Sequence, residues 1–246
     1  MAAAAQHRRQ APDRDMTAFF ENTDSNQPAV TFKPVLPVNQ IAGILAAIEH
    51  RFSAGRQNGI VYFTSAYDRD GADTIALETA YAAACSGHRR VLFLDCSTRP
   101  RGLQLRQFRS KVEVTMEQFL KHGARAKGTP FVTAEDGSFF YALLSAGKER
   151  HRVPFDASFS KALFERLKSI YDLVVIYSDG GLTSGQAAAF SALSDETVLV
   201  VEAEKTRLPV VKELKTIIES SGGHVLGTVL NRRRYYIPRW LYALLF

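Results

Sequence analysis

Cysteine is scarce: only Cys85 and Cys96 occur in the 246 residues, too few for the disulfide framework of a small secreted domain. Neither the cysteines nor the six histidines fall at metal-ligand spacings, so no metal site is expected. No internal repeat is present, which excludes solenoids and propellers. Long apolar runs are missing as well. Short runs such as Leu173–Tyr177 and Trp240–Phe246 fall far short of the roughly 20 residues that span a bilayer. The first residues, Met1-Ala-Ala-Ala-Ala-Gln-His-Arg-Arg, lack the apolar stretch and cleavage site of a secretory signal, so a cytoplasmic location is expected.

What is present is core material. Hydrophobic residues make up 46% of the chain, with 16 Phe and 9 Tyr, which excludes a wholly disordered protein and suits one folded domain with flanking segments. Lys and Arg number 31 against 25 Asp and Glu, a net charge of +6. That excess is compatible with anionic lipid, nucleic acid, an acidic partner or an ordinary solvated surface, and does not choose among them.

Residues 1–37 are rich in Ala, Gln, Asn, Asp, Arg and Pro and read as a disordered arm, with Phe19-Phe20 its one apolar pair and a candidate docking motif. From Asn39 to Phe52 the apolar residues Ile41, Ile44, Leu45, Ile48 and Phe52 recur at helical spacing. A strand, Ile60–Thr64, a loop, Ser65–Gly71, an Ala-rich helix, Thr74–Ala84, and a strand, Val91–Leu94, ending on Asp95 then form a βαβ unit. Strands at Leu173–Tyr177, Thr197–Glu202 and Val225–Leu230 alternate with helices at Ser158–Ser169, Ser184–Leu193 and Pro209–Ser220. Between them, Thr115–His122 reads as helix and Phe131–Leu144 as a hairpin or short strand around Asp136-Gly137. The expected fold class is α/β: a doubly wound, mostly parallel sheet with helices on both faces, over residues 38–231.

In such a sheet the first strand-to-helix loop is the usual phosphate cradle, because its N–H groups and the helix dipole face the anion. A working P-loop ends Gly-Lys-Ser/Thr, the Lys reaching phosphate and the hydroxyl Mg²⁺. Here the equivalent residues are Gly71, Ala72 and Asp73, and no lysine occurs between Asn58 and Ser110.

The stretch Thr64-Ser65-Ala66-Tyr67-Asp68-Arg69-Asp70-Gly71-Ala72-Asp73-Thr74 nonetheless follows the pattern Thr-Ser-x-x-Pro-Gly-Glu-Gly-Lys-Ser/Thr-Thr. Leu94-Asp95-Cys96-Ser97 stands where that pattern has Asp-x-Asp, Leu144-Ser-Ala-Gly147 where it has Leu-Pro-Ala-Gly, and Tyr171–Tyr177 where it has Tyr-Asp-x-Val-Ile-Ile-Asp. Glu204–Arg207 and Val225–Asn231 match the stretch before the last helix and the last strand. From about Asn39 to Asn231 the chain resembles the bacterial tyrosine kinases of capsule and exopolysaccharide systems, relatives of the MinD/ParA P-loop ATPases.

The departures fall on the chemistry. Ala72 replaces the phosphate-binding Lys, Asp73 the Mg²⁺-binding hydroxyl, Arg69 a loop Gly, Ser97 the second acid of Asp-x-Asp, and Tyr177 the Walker B Asp. No catalytic residue is therefore expected. If nucleotide binding is retained, the resemblance implies Ser65, Arg69, Gly71, Thr74, Asp95 and Asn231 around it, the last at the position that reads adenine; ATP and Mg are weak candidates as cofactors. The plainer reading has Thr74 capping its helix and Asp95 ending a strand. Cys96 reads as buried and inert in preference to a reactive thiol.

After Asn231 the chain turns basic and aromatic: four Arg, three Tyr and the only Trp crowd residues 232–246. This end is open to two readings, a helix at a membrane interface or on a membrane protein's cytoplasmic tail, and a helix folded back on the sheet. The resemblance makes Tyr235, Tyr236 and Tyr242 candidate phosphotyrosines. It also implies ring assembly through Glu and Arg on the helix before the first strand, where only Glu49 and Arg51 stand, at altered spacing.

The functional expectation is a catalytically degenerate kinase-like protein of exopolysaccharide biosynthesis or export, at the inner face of the cytoplasmic membrane. Its expected partner is a membrane polysaccharide copolymerase or another export-complex protein, with homo-oligomers allowed and nucleic acid not expected. Two alternatives share the fold: an active tyrosine autokinase, with Arg69 serving for the missing Lys and Asp179 for the second carboxylate, and a MinD/ParA-like positioning ATPase.

Overall fold

The computed structural model describes residues 27–53, 58–87, 90–98, 101–122, 128–134, 139–145 and 157–233. Along the chain run β1 (Ala29–Val30), α1 (Val38–Ser53), β2 (Gly59–Ser65), α2 (Ala72–Gly87), β3 (Val91–Asp95), α3 (Leu103–Lys111), α4 (Met116–His122), β4 (Phe131–Ala134) and β5 (Phe139–Leu143). There follow α5 (Ala157–Ile170), β6 (Leu173–Tyr177), α6 (Gly181–Ser184), α7 (Gln186–Leu193), β7 (Glu196–Glu202), α8 (Leu208–Ser220) and β8 (Val225–Asn231). The strands form one sheet in the order β1-β4-β5-β3-β6-β2-β7-β8. Every pairing is parallel except the β4–β5 hairpin, so the expected doubly wound α/β class is what forms.

Near-continuous apolar strands are required because the sheet is buried on both faces, and alternate residues divide between two cores. Val61, Phe63, Phe93, Val175 and Val198 face α1, α2 and α3, where Ile48, Ala76, Ala80 and Phe108 meet them. Tyr62, Leu92, Leu94, Val174 and Ile176 face the other way, onto Phe119 of α4, Leu163 and Leu167 of α5 and Phe190 of α7. Leu199 packs with Leu214 and Ile218 of α8. Alanines at 76, 80, 83 and 84 let α2 lie close against the strands.

Two boundaries need correction, and one helix went unread. The folded unit reaches further toward the start than residue 38: β1 pairs in parallel with β4, and the Glu78 carboxylate accepts the N–H groups of Val35 (2.7 Å) and Leu36 (2.8 Å). Glu78 is 2% exposed, so this polar strap is anchored from inside the domain, which local composition could not reveal. The helix read over Ser184–Leu193 forms as α7 but starts at Gln186, after Gly185 takes a left-handed φ of 66° and separates it from the short α6. An unread helix, α3, follows β3. Among the described residues no helix is long and apolar enough to cross a membrane.

Candidate functional site

Strand β2 lies between β6 and β7, and β6 lies beside β3. The segments leaving their carboxyl ends, 66–71, 96–98 with 101–102, and 178–180, therefore meet at the place where open parallel sheets hold their ligands. The first brings Asp68 and Asp70 and the third Asp179, while the second brings Arg101. Asp68 accepts the Gly180 N–H on Oδ1 (2.8 Å) and the Arg101 guanidinium on Oδ2 (2.8 Å). A Cβ on Gly180 would come within 2.9 Å of the Asp68 backbone nitrogen, so glycine is what lets the two loops close on each other. Asp179 accepts both the N–H (2.6 Å) and the hydroxyl of Thr98.

Asp73 sits in the first turn of α2. Its carboxylate accepts the N–H of Gly102 (2.7 Å) and of its neighbour Thr74 (2.8 Å), bolting the start of α2 to the start of α3. The helix begins at Ala72, so Thr74 lies within the first turn and is not the cap expected from the sequence. Against this wall, a cavity of about 820 Å³ opens between the 31–35 segment, α2 and α3.

Asp70 is fully buried and accepts the Thr206 hydroxyl (3.1 Å); burial first, and then the nearby Glu202, push its pKa up, against the hydrogen bonds from Thr206 and Tyr67. Next to it Gly71 has φ 88°, and a Cβ there would stand 2.3 Å from the Asn231 amide nitrogen. The Asn231 side chain is engaged at both ends, Nδ2 donating to the Asp70 carbonyl (2.8 Å) and Oδ1 accepting the Arg232 N–H (2.9 Å). Arg232, itself at φ 56°, reaches back to the Arg69 carbonyl (2.9 Å) and to Glu202 (3.1 Å).

Asp95 ends β3 with no exposed surface. It accepts the Tyr141 hydroxyl (2.6 Å) and the Ser97 N–H (2.8 Å), and pairs with Arg109 at 3.4 Å. Arg109 also donates to the Ser97 carbonyl (3.2 Å) and hydroxyl (3.3 Å). Burial raises the Asp95 pKa; Arg109, Ser97 and Tyr141 pull it down without cancelling that rise. Tyr177 is 2% exposed, its phenol pushed well up by burial and by the field of Asp73, Asp179, Asp95 and Asp68. Cys96 is buried and its thiol is likewise raised, first by burial and then by Asp95 and Asp179, the opposite of a reactive thiolate.

The structure thus brings Gly71, Ala72, Asp73, Thr74, Asp95, Ser97, Tyr177 and Asn231 to one end of the sheet. Ser65 is buried and donates to the Tyr67 carbonyl (2.8 Å), while Arg69 is exposed. Tyr235, Tyr236 and Tyr242 lie outside the described residues. Sequence reasoning missed the parts played by Asp68, Asp179, Arg101, Arg109 and Tyr141. Three aspartates in six positions, 68, 70 and 73, were a visible signal; Tyr141, 46 residues from Asp95, had no local one. Chemically, the N–H groups of Thr74, Thr98, Gly102 and Gly180 are answered by the chain's own carboxylates.

No protein-family model matches the chain. Over 70 residues it is 36% identical to CapB of Staphylococcus aureus, assigned as a tyrosine-protein kinase, a match covering 28% of this chain and 31% of that relative's length. Solved structures align more widely. The kinase domain of the Escherichia coli tyrosine kinase ETK superposes with a TM-score of 0.64 at 18% identity, over 80% of this chain and 78% of that one. The chimerical protein CapA2B2 gives 0.68 at 22% identity, over 86% and 95%. MinD of Pyrococcus horikoshii, complexed with Mg-ADP, gives 0.56 at 20%, over 74% and 75%. At these identities the likeness is one of fold: the chain has the α/β fold of the bacterial tyrosine kinase domains and MinD-type ATPases. The resemblance read from its motifs holds.

Proposed function

We propose that this chain is a catalytically degenerate, regulatory relative of the bacterial tyrosine kinases, serving capsule or exopolysaccharide biosynthesis and export. It acts by binding a membrane polysaccharide copolymerase at the inner face of the cytoplasmic membrane, not by transferring phosphate. The pathway rests on the likeness to CapB and to the tyrosine kinase domains, and the choice of partner on the family resemblance, with the chimera CapA2B2 among its structural neighbours.

The single observation that carries the loss of catalysis is the state of Asp95. The carboxylate that the resemblance assigns to metal support is fully buried and held by Arg109, Tyr141 and the Ser97 N–H. The other positions agree. Ala72 removes a charge-assisted phosphate contact of about 1.5–3 kcal/mol, and Asp73 puts a carboxylate where a metal-binding hydroxyl belongs. Since about 1.4 kcal/mol is a decade in affinity, the lost lysine alone weakens nucleotide binding by tenfold or more. Asn231 is occupied within the chain. These residues do not fit Mg-nucleotide, and no catalytic step is assigned to them.

Calorimetric titration of the purified protein with ATP, with and without Mg²⁺, tests this beside an Ala72→Lys/Asp73→Ser variant. The wild type should give no heat at concentrations where the restored variant binds. Autophosphorylation on tyrosine with Mg-ATP, abolished by Asp95→Ala, would sink the proposal in favour of an active autokinase. Oligomer size that changes with ATP would favour a MinD/ParA-like positioning ATPase. Retention of the protein by the cytoplasmic segment of a copolymerase, without nucleotide, tests the partner.

A further inference from the structure

The three loops at the mouth of the site are tied to one another by anion-to-amide bonds that span long stretches of chain. Asp68 of the first loop holds Gly180 of the third, 112 residues away; Asp179 of the third holds Thr98 of the second, 81 residues away; Asp73 holds Gly102, 29 residues away. Arg101 returns from the second loop to Asp68, closing the triangle. From the far side Thr206 and Asn231 reach Asp70, and Arg232 reaches the Arg69 carbonyl. The N–H groups so held belong to the second and third loops and lie beside the first strand-to-helix loop at the carboxyl end of the sheet.

We propose that Asp68, Asp73 and Asp179 act as an internal anion, locking the three loops in a single arrangement that no nucleotide is needed to create and that none alters. A nucleotide switch works because loop N–H groups gain or lose an external anion, so the loops order and release. Here the anions are covalently part of the chain at high effective concentration, and the carboxylates do not leave. The arrangement of the three loops is consequently constitutive. This inference rests on the reading of the site as non-catalytic, which it deepens, and it assigns specific roles to three residues.

The test is amide hydrogen exchange on the full chain, without additions, with Mg-ATP and with inorganic phosphate. In the wild type, residues 66–74, 97–102 and 178–182 should exchange identically in all three conditions. Asp68→Ala should speed exchange at 178–182 by about tenfold, roughly the loss of one charge-assisted bond. Asp68→Asn, which keeps an acceptor oxygen, should stay near the wild-type rate. Asp179→Ala should speed exchange at Thr98 in the same way, and tests the lock from the opposing loop if Asp68→Ala does not fold. Protection of these loops that changes on adding Mg-ATP or phosphate to the wild type would overturn the proposal, as would alanine variants that leave exchange unchanged. Tyrosine phosphorylation by a wild type with unresponsive loops would instead sink the non-catalytic reading while leaving the lock intact.

Discussion

The interior of the sheet and the groups buried at its carboxyl edge are held by opposite kinds of interaction. In β2, β3 and β6 the side chains are apolar and divide cleanly between two faces, so stability comes from area removed from water. A few ångströms away, at the ends of the same strands, the buried groups are Asp70, Asp73, Asp95, Asp179, Ser97 and Thr64. There, burial is costly unless each charge finds a donor; Asp73 and Asp179 find one in the backbone of a neighbouring loop, and Asp95 in Tyr141, Arg109 and the Ser97 N–H. A ligand-binding fold carries its site as a ring of donors lacking partners. At this edge of the sheet the N–H groups of Thr98, Gly102 and Gly180 take the chain's own carboxylates as partners.

The contrast can be broken by substitution, beginning in the sheet. Phe93→Ala removes a ring with no exposed surface that stacks on Tyr141 at 5.8 Å, and should cost about 3–5 kcal/mol in urea unfolding. Asp95→Ala should cost somewhat less, about 2–3 kcal/mol, because it strands Arg109, whose side chain is 12% exposed, and the Tyr141 hydroxyl without an acceptor. An equal or smaller loss in Asp95→Asn separates the acceptor from the charge. Glu78→Ala frees the 33–36 strap and should cost about 1–3 kcal/mol, with limited proteolysis moving to the residues before α1.

Acidity sharpens the comparison further. Asp70 and Asp95 have folded pKa values above their ordinary ones, so the folded state binds more protons than the unfolded chain between the two. Their contribution is fully present below the ordinary carboxylate range and is lost as pH rises through the raised values. Glu117 and Glu202, shifted down, act with the opposite sign and at lower pH. Urea midpoints followed upward from about pH 4 should therefore show a declining component that Asp95→Asn flattens. A slope unchanged in that variant would place the ionisable strain elsewhere. The smallest effect is expected at Lys215→Ala, where an exposed pair with Glu219 at 3.5 Å should give about 0.5 kcal/mol or less by the same unfolding assay.

Legibility in the sequence differed between these regions for a physical reason. Strands such as Leu173–Tyr177 and helices such as α1 declare themselves because burial imposes a period on neighbouring residues, and Ile41, Leu45, Ile48 and Phe52 are all buried as that period requires. The antiparallel β4–β5 pair matched the hairpin read around Asp136-Gly137, although that turn itself lies outside the described residues. The strap before α1 was misread because its partner, Glu78, sits in a different helix. Gly185 was passed over because a single glycine in an apolar helical stretch carries no period of its own.

By itself, the amino-acid order determined the doubly wound sheet and put Ala72, Asp73 and Tyr177 where the pattern it resembles has a Lys, a hydroxyl and a carboxylate, since both are written along short stretches of chain. What each new residue does was decided only by the tertiary structure. The strand order places β3, β6 and β2 side by side, and that adjacency delivers Gly180 to Asp68, Thr98 to Asp179, and Tyr141 and Arg109 to Asp95. Hydrogen bonds depend on distance in space, and across a parallel sheet that distance is set by crossover connections dozens of residues long, which leave no local trace in the sequence.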